Sequence, residues 1–76
     1  MISPEQCRMA IALLQWRVRD VEEASGLDKG TVSDFTNAKR NAHKKTKRKL
    51  YEAFERAGII FTADGCKINP DDSNTA

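Results

Sequence analysis

The chain has 76 residues, of which 39% are hydrophobic and 32% are charged, and its formal net charge at pH 7 is +2. This length predicts one small domain, because so short a chain can enclose only a single hydrophobic core. No apolar run approaches the roughly 18 residues of a membrane-spanning helix, and the first residues lack a signal-peptide pattern. We therefore expect a cytoplasmic protein that does not enter a membrane.

Cysteine and histidine are too sparse to predict a metal site. Cys7 and Cys66 lie far apart along the chain, and His43 is its one histidine. This spacing matches no common set of zinc ligands. We predict that the cysteines are small buried side chains in a reducing compartment, and that the protein uses no metal or cofactor.

Positive charge is concentrated in one short segment. Residues 39–49 contain seven lysines and arginines and no acid, whereas residues 1–38 contain four cations and six acids. Residues 50–76 contain two cations and five acids. A cationic segment between two mildly acidic ends favours the docking of a polyanion on one face. The alternative is that these cations form only the solvated surface of a helix.

The first predicted helix covers residues 4 to about 15. Ser3 can cap its amino end, Pro4 fits the first turn, and Gln6 completes a capping box. Trp16 is a predicted core anchor near the end of this helix. The other inward-facing residues, at helical spacing, are Cys7, Ala10 and Leu14.

Two short helices follow, and a tight corner joins them. The second helix is predicted over Val18–Ser25 and ends at Gly26, which can adopt left-handed backbone angles. Leu27 fills the corner, and Asp28 is expected to cap the third helix by accepting backbone N–H bonds. Such a corner beside concentrated positive charge is a common way to present one helix to DNA.

The third predicted helix covers residues 29 to about 37. Val32 and Phe35 form a narrow apolar stripe that anchors it to the core. The rest of its surface is small and polar, so the helix could enter the major groove, which is about 12 Å wide. The residues expected to face outward are Lys29, Gly30, Ser33, Asp34 and Asn37.

A basic loop is predicted over residues 38–45, after which Thr46 is expected to cap a fourth helix that ends at Gly58. The inward-facing residues of this helix are Leu50, Phe54 and Ala57, with Tyr51 alongside. Two short β-prone runs then flank residues 63–65, which predicts a hairpin.

The expected fold class is mainly α. We predict a compact bundle of four to five short helices that contains a helix-turn-helix, with a short C-terminal β-strand or hairpin, over residues 1–69. The remaining residues, 70–76, are polar and are predicted to be a disordered tail.

Three blocks of this sequence resemble one known family. The blocks are Pro4–Ala10 followed by Leu13, Leu14 and Trp16; Thr31–Arg40; and Ala53–Phe61. Their order resembles small helix-turn-helix regulators of the phage-repressor/Cro (XRE-like) type. The resemblance implies a helical bundle whose third helix reads the major groove of double-stranded DNA. It also implies a homodimer on a two-fold operator. Because the sequence shows no effector domain, we expect regulation by operator occupancy and no small-molecule ligand.

The same resemblance implies base contacts from the third helix. Lys29 would donate to guanine O6 or N7, and Asp34 would accept from the amino group of cytosine. Gly30 would let the backbone approach the DNA closely. Thr31 and Ser33 would bond phosphate or pack on a thymine methyl.

Phosphate contacts are implied just past the third helix. The matching family positions are Asn37, Lys39 and Arg40, and the residues that would extend this contact are His43, Lys44 and Lys45. The complete predicted DNA-binding set is Arg17, Asp28, Lys29, Gly30, Thr31, Ser33, Asp34, Asn37, Lys39, Arg40, His43, Lys44 and Lys45.

Four positions depart from the family pattern. Ile11 stands where relatives often carry a cation, and we expect it to be exposed. Arg17 replaces the usual Ser or Thr cap of the second helix and adds a cation, while Val18 replaces a polar residue. Glu22 replaces a small residue, so either it bends outward or the two helices pack less closely. Together these changes predict that phosphate contacts have moved towards residues 39–49.

The favoured function is a transcriptional regulator, most simply a repressor, of a phage, prophage or bacterial operon. The alternative is an antitoxin-like or adaptor protein that binds another protein, with Ile11 or Ile60 as contact residues. RNA binding is disfavoured because aromatic stacking platforms are missing outside the predicted core.

We do not expect an enzyme, because no candidate nucleophile and base are spaced in the sequence as a known catalytic motif would place them. Dimerisation is expected through the hairpin and the exposed part of the fourth helix.

Overall fold

Four helices followed by a two-stranded hairpin make up the computed structural model, which describes residues 2–38 and 43–68. The helices are α1 (Pro4–Leu14), α2 (Val18–Ser25), α3 (Lys29–Thr36) and α4 (Lys44–Arg56), and the strands are β1 (Ile59–Phe61) and β2 (Cys66–Ile68). The strands are antiparallel, with Ile60 opposite Lys67. The predicted mainly α fold with a C-terminal hairpin is confirmed. The predicted tail, 70–76, lies outside the described residues.

The amino end of α1 also holds the hairpin. Ser3 and Gln6 form the predicted capping box: the Gln6 N–H donates to Ser3 Oγ at 3.1 Å, and the Ser3 N–H donates to Gln6 Oε1 at 2.9 Å. The side-chain nitrogen of Gln6 also donates to the carbonyl oxygens of Thr62 (2.7 Å) and Gly65 (3.2 Å). One side chain therefore joins a local helix cap to the turn of the hairpin.

The corner between α2 and α3 has the predicted form. Gly26 ends α2 with a φ of 76°, and its N–H donates to the Glu22 carbonyl oxygen at 2.8 Å. The buried Ser25 hydroxyl donates to the Val21 carbonyl oxygen (2.6 Å) and accepts from the Leu27 N–H (3.2 Å). These bonds satisfy a buried polar group and hold Leu27 against the core, as predicted.

The hydrophobic core lies where the four helices meet the first strand. Its largest fully buried side chains are Phe54, Leu50, Val21, Val32 and Cys7. The ring centroid of Phe54 is 5.7 Å from that of Trp16 and 6.2 Å from that of Phe61. Trp16 packs against the core, as predicted. Ala53 is buried, whereas Ala57, which was expected to face inward, is only partly buried because it follows the last turn of α4.

The two cysteines differ in environment. Cys7 is fully buried, as predicted, and the loss of hydration raises the pKa of its thiol to about 12. Cys66 is only partly buried, which corrects the prediction, and its Sγ lies 3.7 Å from the Gln6 carbonyl oxygen. Its place on β2, the second strand of a two-stranded hairpin that packs on α1, leaves it at the edge of the core.

The fourth helix begins earlier than predicted. It includes Lys44 and Lys45 and has His43 at its N-cap, so the predicted cap at Thr46 is wrong. Lysine has a favourable helix propensity, and neither glycine nor proline separates these residues from the rest of the helix. The end of the predicted basic loop is therefore helical.

Replacing Gln15 with Gly is expected to stabilise the domain by about 0.5–1 kcal/mol. Gln15 ends α1 with a φ of 55°, in the left-handed region that is unfavourable for residues with a Cβ. Gly26→Ala is the matched opposite change, because an added Cβ there meets no atom within 4 Å and its cost is conformational. The midpoint of thermal unfolding should rise for Gln15→Gly and fall for Gly26→Ala. A shift in the same direction for both would contradict this account.

Candidate nucleic-acid interface

The third helix turns a narrow polar face to solvent. Val32 and Phe35 are 1% and 3% exposed and anchor its opposite side, as predicted. Lys29, Gly30 and Asn37 are exposed, and the other polar residues of the helix keep part of their surface accessible. These half-buried residues are Thr31, Ser33, Asp34 and Thr36. Because the outward residues are spaced three or four apart, the predicted base contacts share one face.

Asp28 occupies the N-cap of α3, but its bonding differs from the prediction. Its carboxylate makes no cap hydrogen bond to a backbone N–H and instead accepts one from the Thr31 hydroxyl. This bond holds the pKa of the carboxyl below its usual range. The predicted cap bond is therefore wrong, because a nearby hydroxyl competes for the same carboxylate. An exposed, ionised group stands at the start of α3.

Local bonds close the carboxyl end of α3. The Asn37 N–H donates to the Ser33 carbonyl oxygen at 3.0 Å, and the Asn37 side-chain nitrogen donates to Ser33 Oγ at 3.3 Å. Ala38 follows with a φ of 56°, which ends the helical path. Lys39 and Arg40, the predicted phosphate contacts that come next, lie outside the described residues.

Cations crowd the start of α4. Lys44, Lys45, Arg48 and Lys49 are exposed, and the first turn contains no acidic residue. The amino end of a helix carries a partial positive charge, so lysines there are unfavourable for the helix itself. His43 is exposed at the N-cap and makes no side-chain cap bond. An anion bound at this end of α4 would relieve the repulsion, which is the local chemistry of a phosphate-binding surface.

The four departures from the family pattern lie in different environments. Ile11 was expected to be exposed but is half-buried, because it lies at the edge of the apolar face of α1 and packs against the core. Arg17 is exposed at the N-cap of α2, and its N–H donates to the Asp20 carboxylate at 2.9 Å. Val18 is 39% exposed. Glu22 is half-buried, and α2 and α3 remain packed together.

Two arginines that the sequence did not single out join pairs of helices. Arg8 on α1 donates to the carbonyl oxygen of Thr36, the last residue of α3. Arg56 on α4 donates to the carbonyl oxygen of Ala24 near the end of α2, at 3.1 Å. The donors lie 28 and 32 residues from their acceptors, so no local pattern reveals either bond.

No family model matches this chain, and no curated protein matches it. Within residues 2–38 and 43–68, no group of three His, Cys, Asp or Glu side chains could hold a metal ion. In that same part of the chain, no helix is long and apolar enough to cross a membrane.

Proposed function

We propose that this protein is a sequence-specific, double-stranded DNA-binding transcriptional regulator, most simply a repressor of a phage, prophage or operon. The observation that carries the proposal is that a polar helix face and a cationic helix end follow each other closely along the chain. The polar face of α3 and the cationic start of α4 are joined by residues 37–43 alone. Base edges specify a site and phosphates position the protein on it, and these two surfaces suit those two tasks.

The size of α3 supports its role as the recognition helix. A helix with its side chains is about 10–12 Å wide, close to the roughly 12 Å of the major groove. Gly30 and Ser33 keep its outward face narrow, so the backbone can approach the bases. Lys29 then suits guanine O6 or N7 as a donor, and Asp34 suits the cytosine amino group as an acceptor.

A homodimer on a two-fold operator is part of the proposal. One short helix makes few base contacts, and a second half-site about 34–36 Å away would supply the rest. Exposed apolar side chains are available for self-association: Met9 and Leu13 one turn apart on α1, and Ile60 on β1, at 42%, 41% and 39% exposure. The exposed residues of α4, which was also expected to contribute, are all charged, so α1 is the better candidate beside the hairpin. The same three residues favour the second candidate function, an antitoxin-like or adaptor protein that binds another protein.

Fluorescence anisotropy separates these functions. The parent protein is titrated into DNA from upstream of its own gene and into a scrambled duplex, at several salt concentrations. A preference of about a thousandfold or more for the upstream DNA is expected of an autoregulating repressor. Equal binding to both duplexes would refute sequence-specific regulation and leave the adaptor function.

Replacing Lys29 or Asp34 with Ala should relax the base preference, with a loss of about 1–3 kcal/mol at the matched base pair. Selection from randomised duplexes measures the effect position by position. Glu23→Ala, an exposed change on α2, serves as the control and should keep the parent's preference. If both α3 variants keep that preference as well, the base contacts lie elsewhere.

A further inference from the structure

The two cross-helix arginine bonds are alike in kind but differ in what they hold. Arg8 and Arg56 are both exposed, and each donates to a carbonyl oxygen at the carboxyl end of another helix. Such carbonyls lack partners within the helix and carry partial negative charge. A guanidinium bond to them is charge-assisted and therefore stronger than a neutral hydrogen bond. Arg56 holds α2, whereas Arg8 holds α3.

We infer that Arg8 is a positioning residue for the recognition helix. Its guanidinium ties the carboxyl end of α3 to α1 and so sets the angle at which the polar face of α3 meets the bases. The inference rests on the proposed DNA-binding function. It adds a residue on α1 that acts on specificity through Thr36 without touching the DNA.

The way α3 is held makes this bond important. Only Val32 and Phe35 on α3 are buried hydrophobics. Its amino end is held by the Gly26 corner, and local hydrogen bonds from the Asn37 and Ala38 N–H groups close its carboxyl end. Among residues 2–38 and 43–68, the Arg8–Thr36 bond is the one side-chain hydrogen bond between α3 and another helix. Base contacts need placement to about 0.5 Å, so a loose carboxyl end would blur them.

A direct phosphate contact is the rival role for Arg8, because an exposed guanidinium has five N–H donors and this bond uses one of them. The two roles predict different changes in affinity and in its salt dependence when Arg8 is removed. A lost phosphate contact weakens all duplexes alike and lowers the log–log salt slope by about 0.9. A lost positioning contact weakens the preferred duplex more than the scrambled one and leaves the slope unchanged.

The test compares Arg8→Ala with Arg56→Ala in anisotropy titrations against preferred and scrambled duplexes over a range of salt. The specificity ratio is the affinity for the preferred duplex divided by the affinity for the scrambled duplex. We expect Arg8→Ala to reduce this ratio about tenfold and to leave the log–log salt slope unchanged. Arg8→Lys should restore part of the lost ratio. Arg56→Ala removes the same kind of bond from α2 and should change the ratio less than threefold. A slope that falls by about 0.9 with an unchanged ratio would overturn the inference in favour of a phosphate contact. An unchanged ratio and slope would overturn it as well.

Amide hydrogen exchange tests, in the absence of DNA, whether the Arg8–Thr36 bond holds the carboxyl end of α3. Arg8→Ala should speed exchange at the Asn37 and Ala38 amides at the end of α3 at least about fivefold more than Arg56→Ala does. Equal exchange in the two variants would overturn the inference even if the parent protein binds its operator tightly. A parent that binds both duplexes equally refutes the proposed function and this role with it. Faster exchange in Arg8→Ala alone would then identify the bond as purely structural.

Discussion

Replacing Phe54 with Ala is expected to remove about 3–5 kcal/mol of stability, the largest loss from any single change that we predict. Phe54 is completely buried in the core, and its ring packs against the rings of both Trp16 and Phe61. The change removes apolar burial and leaves a cavity, because Trp16 and Phe61 belong to separate segments of the chain and cannot both move in to fill it. A domain of this size has roughly 4–11 kcal/mol of total stability, so much of it would be lost.

Urea or thermal denaturation followed by circular dichroism measures this loss. A fall in the thermal midpoint of at least about 12 °C is expected, because each kcal/mol shifts a domain of this size by roughly 4–8 °C. Glu55→Ala is the control, since Glu55 is the next residue on α4 and is exposed. It should change stability by no more than about 0.5 kcal/mol. A loss below about 1 kcal/mol for Phe54→Ala would mean that the core does not depend on Phe54.

Replacing Lys44 and Lys45 together with Gln is expected to weaken DNA binding and to stabilise the fold. If each lysine neutralises one phosphate, the log–log salt slope should fall by about 1.8 and affinity at 0.15 M salt should fall roughly 30-fold. Both the preferred and the scrambled duplex should be affected equally, because phosphate contacts do not distinguish sequences.

The opposite change in stability follows from the position of the two lysines. Both lie in the first turn of α4, which has no acid, so they oppose the positive end of the helix dipole. Their removal should stabilise the folded state by about 0.3–1 kcal/mol per residue at low ionic strength. A double variant that gains stability and loses affinity would show that the two lysines serve binding and do not stabilise the fold.

The control for this pair is Lys67→Gln, which removes an exposed cation from β2 on the hairpin. It should leave the salt slope and the thermal midpoint near those of the parent. Anisotropy at several salt concentrations and a thermal melt of each variant provide both readings. An unchanged slope for the double variant would assign the two lysines to a solvated surface without a phosphate contact.

Strong local signals made several boundaries predictable. The capping box at Ser3, the left-handed Gly26 and the left-handed Gly58, with a φ of 97°, each act on backbone groups within a few residues. The start of α4 lacked such a signal, because a threonine and a histidine can both precede a helix and the lysines between them continue it. Thr46 was therefore predicted to be a cap but lies in the first turn.

The polar face of the candidate site was predictable, but its bonds were not. Helical spacing placed Val32 and Phe35 on the buried side of α3 and left the polar residues on the other side. Spacing could not show whether the Asp28 carboxylate bonds a backbone N–H or the Thr31 hydroxyl, because both groups lie within its reach. Nor could it show that Ile11 packs against the core, since that depends on which neighbours approach the edge of α1.

The sequence by itself determined the order of the elements, the narrow apolar stripe of α3 and the concentration of cations beside it, whereas it left open whether there were four or five helices. These features depend on residues within one or two helical turns of each other, and backbone sterics and helical periodicity act over that range. The tertiary structure alone decided that Arg8 meets Thr36, that Arg56 meets Ala24 and that Gln6 holds the hairpin turn. Those partners lie 28 to 59 residues apart. They meet only because burial of one shared core brings the helix ends together.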